Sequence, residues 1–276
     1  HPPMKRFGIA AAVLLLIGIW LLPRPSAPSF NRDIAPLVHA RCGSCHHPGG
    51  SAPFSLLDYA GVKARAGQIA DLTTRRVMPP WMPDPDGSAF LGDRSLDAAE
   101  IALFRSWAEA GASEGPGPAL PPPVWNDGWQ LGEPPLTVTL PEAFVLPAEG
   151  RDVYRNFVIP LPNTERRFIR AVEFRPSNPR VVHHAFLFID RTKESQRRDE
   201  KDPAPGFPGL HVPPSAQAPS GQFLSWQPGK RLQPGPGDFP WTLEPGGFLV
   251  LQVHMRPSGK PESVRPSVGF YTTDRA

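Results

Sequence analysis

Six short stretches between residues 136 and 273 alternate apolar with polar positions: LTVTL, YRNFVIPL, RFIRAVEFRP, VVHHAFLFID, GFLVLQVHMRP and SVGFYTT. Clusters of Pro, Gly and Asn separate them. Alternation over so few residues predicts β-strands, and strands spaced this way without long helical stretches predict an antiparallel sandwich or jelly roll. Residues 191–240 break the pattern. They are polar at first, then rich in Pro and Gly, and read as a long excursion between strands.

Upstream the period changes. FNRDIAPLVHARC predicts a helix, and SLDAAEIALFRSWAEAGA predicts another. In the latter, Asp97 and Glu100 have capping-box spacing. Ile101, Phe104, Trp107 and Ala108 form the apolar stripe, and Gly111 supplies a stop. Residues 116–135 (PGPALPPPVWNDGWQLGEPP) have the Pro and Gly density of a semi-rigid connector, with Trp125 and Trp129 as candidate anchors. The chain therefore divides into a leader over residues 1–29, a small helical domain over 30–115, the connector, and a β domain over 136–276. The fold class is multidomain, α followed by all-β.

Composition narrows the function. Of 276 residues 39 are Pro and 25 Gly, and only 20% are charged, which suits loop-rich β structure. The net charge of +3 comes without a dense basic run interleaved with aromatics, which argues against nucleic acid as a partner. Lys5 and Arg6 precede an uncharged apolar run from Phe7 to Leu22. This pattern predicts export, either behind a cleaved signal peptide or on a retained inner-membrane anchor. Both place the rest of the chain outside the cytoplasm, in a periplasmic or other extracytoplasmic space.

The two cysteines lie in HARCGSCHHPGG. Cys42, Cys45 and His46 have the C-x-x-C-H spacing of c-type haem attachment, in which each thiol adds to a vinyl group and the histidine reaches the iron. A thioredoxin-like pair or a disulfide would leave the histidine unexplained and lacks a βαβ context. A Met sulfur commonly supplies the second axial ligand. Met78 opens the Met-Pro-Pro-Trp run and is the first candidate, with Met82 second. His47 reads as a solvated neighbour and His39 as a surface residue of the preceding helix.

His183 and His184 stand side by side at the head of a strand. Alternation in FLVLQVHM places Phe248, Val250, Gln252 and His254 on one face and Leu249, Leu251, Val253 and Met255 on the other. Three imidazoles suffice for copper or zinc. Adjacent strand residues share one ion only where a bulge or a strand end re-aims one of them. The spacing alone leaves this reading open beside a hydrogen-bonded core pair.

VVHHAFLF, FLVLQVHM and the intervening FLSWQPGK (223–230) together resemble the N-terminal domain of the copper type II, ascorbate-dependent monooxygenases, the family of peptidylglycine α-hydroxylating and dopamine β-monooxygenases. The resemblance implies that His183, His184 and His254 bind the first, electron-transferring copper. It further implies O₂-dependent hydroxylation of a small-molecule substrate, with ascorbate or a redox protein as external electron donor. With MPPW upstream, the chain is similar to exported bacterial proteins that join a cytochrome c domain to such a copper domain. The family's oxygen-activating copper uses a His-x-His pair and a Met on a following domain, and this chain contains no His-x-His. The expectation is thus a C-terminally truncated fragment of a longer enzyme. His211 and Met255 match no motif, and Met255 reads as core. The rival functions are an electron carrier with a metal-binding β domain, and a cytochrome fused to a binding module with structural histidines.

Overall fold

The computed structural model describes residues 27–83, 87, 90, 92–125, 128–219, 224–230, 232 and 240–274. The leader expected over residues 1–29 falls almost wholly outside them. Among the described residues no helix is long and apolar enough to cross a membrane.

A π-helical turn, Phe30–Ile34, runs directly into α1 (Ala35–Arg41), so the first predicted helix is two helices of different pitch. Two short helices follow that the apolar pattern did not reveal, α2 (Tyr59–Lys63) and α3 (Ala66–Thr74). The next, α4 (Ala98–Glu109), starts on the expected capping box: Glu100 N donates to Asp97 Oδ1 at 2.7 Å, and Asp97 N donates to Glu100 Oε2 at 2.9 Å. Phe104 and Trp107 are fully buried, whereas Ile101 and Ala108 are half-buried at the rim. These helices close on a core of their own, in which Phe30, Ile34, Val38, Val62 and Trp107 meet. His39 departs from its expected place. It is 5% exposed, with Nε2 3.2 Å from the Leu57 carbonyl, because α1 turns that face toward the 54–57 loop.

The rest of the chain is mainly antiparallel β-sheet. One sheet has the order β1 (Leu136–Thr139), β12 (Ser267–Thr273), β4 (Arg167–Arg175), β9 (Trp241–Leu243). The other runs β6 (Phe207–Pro208), β3 (Val153–Pro160), β10 (Phe248–Met255), β5 (Val182–Asp190), β7 (Ala216–Gln217), with β8 (Leu224–Trp226) also paired to β5. A small ribbon joins β11 (Glu262–Val264) to β2 (Phe144–Leu146). All six predicted strands are present; the additional ones are two or three residues long. Inward-facing residues of both large sheets share one apolar core, with Ile169, Phe174 and Phe270 from one and Phe157, Leu187 and Leu251 from the other.

Strand β10 is buried along its whole length. Leu249, Leu251, Val253 and Met255 enter the common core, as the alternation requires. The opposite face is covered by the excursion after β5, which includes α5 (Glu194–Asp199). There Phe248 packs with Val158 and Phe207, and Gln252 donates to Asn156 Oδ1 at 3.2 Å and to the Leu210 carbonyl at 2.8 Å. The excursion is held by Arg155, whose guanidinium meets Asp202 at 2.6 Å and the Ala204 and Gly206 carbonyls at 2.7 and 2.9 Å.

Both anchors of the connector find partners. The Trp125 ring stacks on His47, with centroids 4.8 Å apart. Trp129 is buried beneath the Arg175 guanidinium, and the next amide, Gln130 N, donates to the Glu173 carboxylate at 2.9 Å. One end of the connector is therefore fixed to the Cys-x-x-Cys-His loop and the other to β4.

Candidate metal centre and the adjoining cavity

The register of β5 on β10 answers how two adjacent histidines face one point. From Phe248↔Asp190 to His254↔His184 the pairing is regular, but Met255 then pairs with Val182, so His183 is an extra residue. Met255 and Val182 are both buried in the core, which forces the surplus residue outward. A bulge of this kind re-aims a side chain, and it brings His183 to the face that His184 and His254 occupy. The ring centroids of His183 and His184 each stand 4.8 Å from that of His254.

The nitrogens that converge are the three Nδ1 atoms. His183 Nδ1 and His184 Nδ1 are 3.1 Å apart, and His254 Nδ1 lies 3.4 Å from His184 Nδ1. His254 Nε2 meets Asp152 Oδ2 at 2.8 Å. A carboxylate only accepts, so in the neutral ring Nε2 carries the proton and Nδ1 presents a lone pair. Tyr154, opposite His254 on β3, stacks on this ring at 4.2 Å and fixes its plane. Burial, followed by the positive influence of His254, lowers the pKa of both His183 and His184, which favours the neutral, ligating form. Nitrogens bound to one ion at about 2.0 Å each stand about 3.3–3.5 Å apart in trigonal or tetrahedral geometry. Two of the three pairs have close to that spacing, all three ligand atoms lie within 4.8 Å of one another, and the cluster could hold a metal ion. His183 is exposed and His254 is 6% exposed, so the group runs from the buried end of the sheet to its surface.

Next to it lies a cavity of about 510 Å³. Cys42, Cys45, His46 and Met78 line one side, over a floor that includes Phe54 and Leu72. His46 Nδ1 lies 3.1 Å from the Phe54 carbonyl. The carbonyl can only accept, so Nδ1 holds the proton and Nε2 is left as the free donor atom. Burial lowers the His46 pKa further, outweighing the Phe54 carbonyl. The Cys42 thiol is pushed up to about 12 by burial first and then by Cys45, and the two cysteines are not joined. A reactive thioredoxin-like pair needs the opposite shift. Two thiols, an imidazole nitrogen and a thioether facing one largely apolar space fit a covalently held haem. Met82 is 94% exposed and lines an adjoining groove with Trp81 and Phe90, which Met78 also borders, and of the two methionines Met78 alone lines this cavity.

The far wall of the cavity belongs to the β region: Val181, Val182, His183, Pro228 and Arg256. Arg256 Nε stands 3.7 Å from the same Asp152 Oδ2 that holds His254. Arg94 donates to the Pro228 carbonyl at 3.4 Å. Asp152 and Arg256 had no signal in the sequence: a lone acid in a turn and an arginine after a strand. His211 is exposed, and Met255 is core, as expected. No family model, no curated protein and no solved structure matches the chain.

Proposed function

We propose that the chain is an exported haem and copper redox protein, related to the copper type II monooxygenases and carrying the electron-relay part of such an enzyme. The observation that carries this reading is the bulge at His183, which brings three Nδ1 atoms together beside a cavity lined by the Cys-x-x-Cys-His residues. Cys42 and Cys45 would hold a haem through thioethers, and His46 Nε2 and the Met78 sulfur would be its iron ligands. His183, His184 and His254 would hold copper, a metal for which imidazole is well suited. When bound, the pair supplies two one-electron reservoirs. Met/His ligation raises the haem potential toward that of an imidazole-ligated copper.

The chain's own residues do the positioning. Asp152 and Tyr154 orient His254, the Phe54 carbonyl orients His46, and Arg65, Arg94, Arg180 and Arg256 line the cavity with charge suited to the carboxylates of a porphyrin. Hydroxylation of an unactivated C–H bond by O₂ needs a second, oxygen-activating copper, which a following domain would provide. An external donor, ascorbate or a redox protein, would refill the haem.

The test is copper per haem. Produced in a host that exports and matures c-type haem, loaded with copper and desalted, the protein should carry about one copper per haem, since three imidazoles make one site. His183→Ala or His254→Ala should abolish copper binding and leave the haem. Intact haem with no copper overturns the copper assignment, and a chain without covalent haem overturns the haem assignment.

A further inference from the structure

Resting on that reading, we propose that His183 is the electrical contact between the two halves of the chain. It would hand one electron from a haem on Cys42, Cys45 and His46 to a copper on the three histidines, within a single molecule. His183 is unusual in belonging to both places. Its ring lies 4.8 Å from His254 in the metal cluster, and the same residue lines the cavity that holds Cys42, Cys45 and Met78. His184 and His254 do not line that cavity. The bulge thus does two things: it completes the ligand set, and it extends one ligand toward the helical half.

Three contacts keep the gap narrow. The Pro228–Gly229 turn of the β region presses on the haem-motif loop so closely that a Cβ on Gly229 would lie 2.7 Å from Cys45 Sγ and collide with Arg94 Nη1. Gly229 also has φ +74°, a conformation that suits glycine. Arg94 bonds the Pro228 carbonyl of that turn. The connector is fastened at both ends, by Trp125 on His47 and by Gln130 on Glu173. Because the two halves share a wall, transfer needs no encounter between molecules, and positioning makes the step unimolecular. The step balances simply. Ferrous haem loses one electron and becomes ferric, cupric ion gains it and becomes cuprous, and no bond or proton moves.

The experiment starts from protein with measured haem and copper contents, both metals oxidised. A light-triggered reductant injects electrons into the haem, and the decay of the ferrous haem absorption band is followed. The decay rate should stay constant on about tenfold dilution, as a unimolecular step requires. A rate that falls in proportion to protein concentration overturns the proposal while leaving both cofactor assignments standing. Gly229→Val, which wedges the turn away from Cys45, should slow the decay about tenfold or more with both metal contents unchanged, because the step depends on held geometry. An unchanged rate in that variant overturns the shared wall. One readout needs no variant: copper loading should quicken the electron-spin relaxation of the ferric haem, and no change on loading also overturns it. Protein that takes up haem but no copper defeats the copper assignment under Proposed function instead.

Discussion

The helical and β regions build their chemistry in opposite ways. In the helical region the defining residues, Cys42 to His46, are contiguous, and the loop that carries them is closed by local bonds such as His46 N to the Cys42 carbonyl at 3.0 Å. In the β region His184 and His254 are seventy positions apart and meet because β5 and β10 pair in one register. The first site needs a short loop; the second needs the whole sheet. A substitution that shifts packing should therefore damage the two unequally, since register is set by which face is buried.

The largest effect should come from Cys42→Ser with Cys45→Ser. Covalent haem should be lost completely, as judged by haem staining of denatured protein, while copper binding persists. Retained haem would break the comparison at its root. Next, Leu251→Ala removes a fully buried side chain from the centre of β10. It should cost about 2–5 kcal/mol in denaturant unfolding of the β region and weaken copper binding with it. The haem-motif spectrum should be much less affected.

Asp152→Ala leaves the sheet intact but removes the group that fixes the His254 ring. Copper affinity should fall about 10–100-fold in a competition titration, with covalent haem unchanged. The smallest effect sharpens the other side. Asp97→Ala deletes the cap of α4 and should cost about 1 kcal/mol in the helical region alone, read by thermal unfolding at the haem band.

Legibility in the sequence follows the same division. The six longer strands and the helix from Ala98 were readable because each buries a periodic face. The helix α3 was not, because its inward stripe, Ala66, Ile69 and Thr73, is short and has only one large apolar side chain. Strands of two or three residues carry no measurable period. At the site, residue type and spacing singled out Cys42, Cys45 and His46 but left the three histidines open beside a core pair, whereas Asp152 was invisible because it meets His254 across 102 positions. His39 was misjudged because the loop that covers it has no pattern of its own. The bulge was anticipated only as a condition, since its location depends on Met255 pairing with Val182 in the core.

That bulge amounts to a single residue of chain length. Were position 183 deleted, β5 could continue its ladder on β10 without interruption, Val182 would stay opposite Met255 in the core, and the imidazole set would drop to two. A one-codon deletion would thus turn the three-histidine cluster into a plain sheet end. The reverse event, one codon gained at a strand end that already carried two facing histidines, would be enough to create the site.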